Sequence, residues 1–321
     1  MSSHRIESAV ALVILIAGGI LAVAAPRFFE PSNLIDLVIA NLPVLIAAIG
    51  ATLVVLTGEI DISVGSTFAV CSVVAGTLAT MGAPLPVVVL GAISVGAVIG
   101  ATNGALVAWL RIPSIVVTLA AMVALRDGLR WMTEGAWVQN LPAEFQWFGL
   151  GQSTYPAIAL GGTIALAAAT AWLLRSTRAG RMIYATGSNP DAARLAAIDT
   201  AAVRFAVLTI AGVFTAIAAV VNAVRFTQVP PNTGLGLELK VVAAVVVGGA
   251  AITGGRGTIA GTVLGATLLG MSGPALTFLG ASAYWERALQ GAIILAAVAA
   301  QALARSRPAA RAPRLAAERA A

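Results

Sequence analysis

Two carboxylates stand two residues apart in Thr57-Gly58-Glu59-Ile60-Asp61-Ile62-Ser63-Val64-Gly65-Ser66, between long apolar runs. Ionisable groups at membrane depth are costly and mark ion or substrate paths, so Glu59, Asp61, Ser63, Gly65 and Ser66 are candidates for a pathway. Two other readings stay open. The acids could face water in a short loop, with Asp61 or Ser63 capping the next helix, or they could be the proton sites of a secondary carrier.

A second candidate runs Arg181-Met182-Ile183-Tyr184-Ala185-Thr186-Gly187-Ser188-Asn189-Pro190-Asp191-Ala192-Ala193-Arg194-Leu195-Ala196-Ala197-Ile198-Asp199. Asn189 suits an N-cap, Pro190 the first helical position and Asp191 the helix dipole. Ala192, Ala193, Leu195, Ala196 and Ile198 then form a helix of about nine residues, too short to cross a bilayer. Its small apolar face suits a groove on a partner or, alternatively, the lipid surface.

Two further segments are rich in turn formers. Pro230-Pro231-Asn232-Thr233-Gly234-Leu235-Gly236-Leu237-Glu238-Leu239-Lys240 is stiff and turned, fit either to shape a pore mouth or meet a partner, or to serve as an ordinary connection. Gly248-Gly249-Ala250-Ala251-Ile252-Thr253-Gly254-Gly255-Arg256-Gly257-Thr258 looks like a phosphate loop at a glance. Gly255 stands where that loop needs its lysine, and no Ser or Thr follows, so a tight turn is expected instead. Enzyme chemistry has little material elsewhere. His4 is the one histidine and Cys71 the one cysteine, so zinc sites and disulfides are unsupported, and no nucleophile has a plausible base. No cofactor or metal is expected.

The elements that must position these residues are membrane helices. Of 321 residues 59% are hydrophobic and only 10% charged, against about 25% charged in soluble domains. Mean hydropathy is +0.96. So few charges cannot cover a water-facing surface, and lipid must be a large part of the solvent. Ten apolar segments are expected, at roughly 8–25, 37–56, 64–81, 85–110, 112–126, 156–174, 203–224, 239–254, 257–279 and 286–304. The first is read as a span rather than a cleaved signal, since Pro26-Arg27-Phe28-Phe29 follows it in place of a small-residue cleavage site.

The net charge is +6. Its basic residues lie between apolar spans, which reads as orientation rather than nucleic-acid binding. With the N-terminus inside and ten spans threaded, 13 of the 19 basic residues fall inside, so both termini are expected in the cytoplasm. Residues 1–304 then form one transmembrane domain and 305–321 a disordered basic tail. Gly96, Gly100 and Gly104 recur every fourth residue in the fourth segment, as Gly257, Gly261 and Gly265 do in the ninth. This spacing fits two inverted five-span halves or two unrelated close helix contacts.

Over about residues 33–304 the chain resembles the permease subunits of bacterial carbohydrate importers powered by ATP-binding cassettes, the ribose permease type. Residues 57–66 are similar to that family's Gly-Ile-Asp-Leu-Ser-Val-Gly-Ser segment, 185–198 to its inner coupling loop, and 234–258, with Glu238 and Gly248-Gly249, to its later glycine-rich block. Glu59 stands where a glycine is often found, and Ala197 where the family often has one. Trp131 to Val138, Leu141-Pro142, Arg225 to Gln228 and Pro231 to Thr233 are most similar to the branch carrying rhamnose and autoinducer 2. The resemblance implies alternating access and several partners: a cytoplasmic ATP-binding cassette subunit docked on Asn189–Ile198, a periplasmic or surface sugar-binding protein, and a second permease, identical or homologous. The cargo it implies is a monosaccharide such as rhamnose, or autoinducer 2.

Overall fold

A computed structural model of the chain describes residues 3–282 and 284–306. The described residues fold into twelve α-helices: α1 (Ser3–Ala24), α2 (Pro31–Leu56), α3 (Val64–Thr80), α4 (Leu85–Ala108), α5 (Ser114–Met132), α6 (Tyr155–Ser176), α7 (Arg178–Ser188), α8 (Pro190–Leu195), α9 (Thr200–Ala223), α10 (Leu237–Val247), α11 (Ile259–Phe278) and α12 (Trp285–Ser306). Each of the ten apolar segments overlaps one of these helices, although α10 covers only the first part of 239–254 and the rest is a turn. Six helices (α1, α2, α4, α6, α9 and α11) are long and apolar enough to cross a membrane. That is fewer than the ten crossings expected. The shortfall is clearest at α10, whose 11 residues reach only about 16 Å, half a hydrocarbon core. The basic tail expected from Arg305 lies, beyond Ser306, outside the described residues.

α2 is the axis of the bundle. Its residues from Ile46 to Leu56 are buried without interruption, and it packs against α6, α9, α10 and α11. A strand of an apolar helix that is hydrophobic all round belongs in such a core. Two polar contacts fix its height. Thr52 Oγ1 lies 2.7 Å from Thr262 Oγ1, and Asn41 Nδ2 donates to the Ala266 carbonyl at 3.0 Å.

The two glycine triplets make different contacts. Gly96, Gly100 and Gly104 lay the backbone of α4 on α9, against Gly212, Leu208 and Phe205. Gly261 and Gly265 lay α11 on α10, against Gly248 and Ala244, while Gly257 precedes the helix and forms part of a turn. Their common spacing therefore serves two separate helix pairs. In lipid, where apolar surface gains little by burial, such backbone approach supplies the packing that holds helices together.

The stretch 127–155, which joins two apolar segments, is partly folded into the bundle. α5 continues to Met132, so Arg126 and Asp127 are helical. Val138 and Val229 exchange both backbone hydrogen bonds, and Trp147 N donates to the Val224 carbonyl at 2.8 Å. Leu141 and Phe145 are buried against the bundle.

Gly212→Leu should separate α4 from α9, because the added side chain meets the Gly96 carbonyl and the Gly100 backbone, which cannot rotate away. A loss beyond the usual ~1–3 kcal/mol of overpacking is expected, read as a collapse of the monodisperse peak and a lower Tm in detergent. Gly161→Leu on α6, where nothing lies within 4 Å, should leave both unchanged. Equal behaviour of the two variants would refute the contact.

Candidate functional site

α2 ends at Leu56, and the chain does not turn straight into another helix. Residues 59–62, between the Gly58 turn and Ser63, lie outside helix and run beside the first turns of α5. Ile60 N donates to Ser114 Oγ and Ile62 N to Thr118 Oγ1, each at 3.1 Å. Thr118 Oγ1 also lies 3.3 Å from the Ile60 carbonyl. Hydroxyls on α5 thus supply the partners that non-helical backbone needs where water is excluded. The same register explains why α3 is only 17 residues long: it begins part-way into the bundle, and the non-helical stretch covers the rest.

Asp61 closes this turn. Its Oδ1 accepts from Ser63 N at 2.8 Å and Ser63 Oγ at 2.6 Å, and Ser63 Oγ accepts from Asn103 Nδ2 at 3.0 Å. Asp61 is 7% exposed and Ser63 and Asn103 are buried. Glu59 goes elsewhere, its Oε1 lying 2.8 Å from Arg204 Nε on α9. The structure therefore parts the two carboxylates that the sequence sets side by side. Asp61 is a backbone cap, and Glu59 a half of an ion pair.

Gly65 and Ser66 face a different group. Ser66 Oγ donates to the Met122 carbonyl at 2.8 Å and lies 3.3 Å from Arg126 Nε. A Cβ on Gly65 would meet the Glu238 carboxylate, the Gly234 carbonyl and Arg126 Nη2. So the Gly234–Glu238 turn, with Gly234 and Gly236 both at positive φ, is folded against the start of α3 rather than standing free. Arg126 and Arg204 were not among the residues singled out by spacing, because a charge at a span end reads as an orientation signal. Asn103 and Thr118 had a weak signal, a polar side chain within an apolar run.

At one end of the bundle the glycine-rich turn 248–258 meets α7. Gly255 N donates to the Leu56 carbonyl at 2.9 Å, and Tyr184 Oη to the Gly257 carbonyl at 2.8 Å. Burial pushes the Tyr184 phenol above its ordinary pKa, which keeps it a donor. Gly187 rests directly on Leu56 and Gly255 backbone, with no room for a side chain.

From there α8 begins as the spacing predicts. Asn189 Oδ1 accepts from Asp191 N and Ala192 N, and Pro190 opens the helix. It is shorter than expected, six residues ending at Leu195. Ile198 N donates to the Ala193 carbonyl and Ala197 N to the Arg194 carbonyl, which are the two bonds of a Schellman end. That motif puts Ala197 at φ +59°, a conformation that favours glycine. Ala193 is 4% exposed and faces into its own chain, whereas Leu195 is 92% exposed. The outward face is therefore Ala192, Leu195 and Ala196. Of the residues expected in the coupling loop, Ala193 is buried and Ile198 partly buried against the bundle.

A bundle of long apolar helices around a hydrogen-bonded break is the plan of a multi-pass membrane permease. Comparison with known proteins specifies which kind: residues 33–298 match the family described as branched-chain amino acid transport system / permease component, and the chain belongs to that family. It is 41% identical over 256 residues to the autoinducer 2 import system permease protein LsrC of Salmonella typhimurium, covering 78% of this chain and 72% of the relative. It is likewise 41% identical over 257 residues to the protein of that name from Escherichia coli K12, covering 78% and 74%. No solved structure matches the chain.

Thr118→Val should cost about 1–3 kcal/mol, since it strips Ile62 N of its acceptor where no water replaces it; thermal unfolding in detergent measures this, and a wild-type Tm would show that the non-helical stretch does not depend on α5. Ala197→Gly should stabilise the α8 loop by about 1 kcal/mol through relief of the left-handed backbone. Slower hydrogen exchange at residues 197 and 198 would be its sign, and unchanged or faster exchange would contradict the Schellman end.

Proposed function

We propose that this chain is the permease subunit of an ATP-driven importer of a small hydroxylated cargo, lying in the bacterial inner membrane with both termini in the cytoplasm. The observation that carries the reading is α8. A capped helix of one and a half turns, anchored by Ala193 and presenting Leu195 outward, suits the groove of a cytoplasmic ATP-binding cassette subunit. Arg194 Nε also reaches Thr200 Oγ1 at the start of α9 at 3.2 Å. Through Tyr184 and Gly187 the same loop touches both the end of α2 and the glycine-rich turn before α11. A push on α8 would therefore reach the axis of the bundle. Nucleotide binding would bias the two states of a pair of permeases, and the driving energy would come from the nucleotide rather than from cargo affinity.

Delivery would fall to a separate binding protein, and the pathway to two permeases, identical or homologous. The relatives' name favours autoinducer 2 as cargo over a monosaccharide such as rhamnose. A proton-coupled carrier using Glu59 and Asp61 loses support, because Glu59 is paired with Arg204 and Asp61 is engaged by Ser63.

The test is co-purification from the native operon. The wild-type chain should bring down an ATPase subunit in stoichiometric amount, and Leu195→Asp, which sets a charge on the outward face of α8 without disturbing Ala193, should lose at least nine-tenths of it while remaining monodisperse. Full recovery of the ATPase with Leu195→Asp would remove α8 from the interface. A wild-type chain that arrives alone and drives uptake in proteoliposomes under a proton gradient would overturn the importer reading.

A further inference from the structure

Among the described residues several buried charged atoms make no hydrogen bond, and three of them lie together. Arg126 Nη1 and Nη2 and Glu238 Oε2 are buried and without a hydrogen bond. They belong to different helices, α5 and α10, and converge on one spot, the face of Gly65 that a Cβ would fill. The two charges offset each other in part, but buried donor and acceptor atoms that make no hydrogen bond remain costly. They are tolerated where something else completes their hydrogen bonds.

Their depth is the second observation. Glu238 opens α10, so it stands about 16 Å from the glycine-rich turn that ends that helix. Arg126 stands about 18 Å along α5 from Ser114, which sits at the same end. Both estimates place the pair about half a hydrocarbon thickness from that end. Glu238 also lines a cavity of about 780 Å³ that continues past Lys240, Tyr284, Glu286 and Gln290. That volume lies within the ~300–1,000 Å³ of small-molecule sites. Its wall is already ordered by charge: Lys240 Nζ and Gln290 Nε2 both donate to Glu286 Oε1 at 2.9 Å.

We propose that Arg126 and Glu238, brought together beside Gly65, form a transient binding station for a neutral, polyhydroxylated cargo midway along the path. The guanidinium donates to cargo oxygens, and the carboxylate accepts from cargo hydroxyls. A hydroxyl does both, so a sugar-like molecule satisfies both orphans at once, which a simple cation or anion does not. Gly65 is required because a methyl group there would collide with the Glu238 carboxylate and the Gly234 carbonyl and push the acceptor out of place. The binding need only be weak, since a station that held its cargo tightly would slow release. This proposal rests on the permease reading above.

The test uses the whole assembly, permease with its ATPase and binding protein, in proteoliposomes, with autoinducer 2 and with rhamnose as probes. Glu238→Gln and Arg126→Lys should each lower ATP-dependent uptake at least tenfold, while ATPase co-purification and cargo-free ATP hydrolysis stay at wild-type levels. Gly65→Ala should do the same with both charges intact. The double variant Arg126→Met/Glu238→Met separates binding from charge balance: it should transport no better than the singles. Its return to wild-type uptake would mean that the two groups merely neutralise each other, and unaltered uptake in Glu238→Gln, Arg126→Lys and Gly65→Ala would equally overturn the station. Should a single variant fail to assemble, Glu238→Asp, which keeps the charge but withdraws it from Gly65, is expected to give a partial loss. Absence of ATP-dependent uptake by the wild type would strike the permease reading itself.

Discussion

The rest of the structure depends on one constraint: a non-helical backbone between α2 and α3 must find every hydrogen bond inside the protein. Lipid offers none, and an unmet amide there costs as much as the fold can spare. Ser114 and Thr118 on α5 take the amides of Ile60 and Ile62, and Asp61 takes that of Ser63. Once those bonds are made, α3 has to start part-way into the bundle, and its first turn is held beside α5 and α10. The short length of α3 and of α10 follows from the same geometry. Two half-depth helix starts meet where neither helix extends to the other end.

That geometry also separates rigid from movable parts. α4 and α9 are in backbone contact through Gly96, Gly100 and Gly212, and α10 and α11 through Gly248, Gly261 and Gly265. Contacts made backbone to backbone have no rotamers to adjust, so each pair moves as one body. Between the two pairs runs α2, tied to α11 by hydroxyl and amide bonds at Thr52 and Asn41. The loop bearing α8 rests on the end of α2, on the turn before α11 and, through Arg194 and Thr200, on α9. A mechanical input there has a path to both pairs, to α4–α9 directly and to α10–α11, which carries Glu238, through the glycine-rich turn.

The arrangement of charge fits this division. Glu59 and Arg204 are paired near the α8 end, and Lys240 and Glu286 are paired in the cavity wall. Arg126 and Glu238 face each other beside Gly65 with three buried atoms that make no hydrogen bond. Paired charges hold elements in place, whereas an unmet donor and acceptor create a demand that a guest can fill. The α3 and α10 starts are thereby the polar interior of an otherwise apolar body.

Much of the fold was legible in the sequence for a simple reason: solvent selects composition. With lipid outside, a helix must be apolar for most of its length, so each apolar segment marks a helix, and the short-range rules for Asn189, Pro190 and Asp191 locate the start of α8. Those signals are local, and they survive whatever the helices do to one another. What the tertiary structure decided is every relation between distant segments. The adjacency of Glu59 and Asp61 suggested a pair, yet one is claimed by Arg204 and the other by Ser63. Ala193 and Leu195 look alike as apolar positions, yet the packing of α8 buries one and leaves the other outside. Arg126 read as a charge at a span end because nothing near it in the chain says that α5 continues and that Gly65 and Glu238 lie opposite. Hydrogen bonds and burial depend on which backbone comes within about 3 Å of another, and sequence spacing carries that information only within a turn or two of helix.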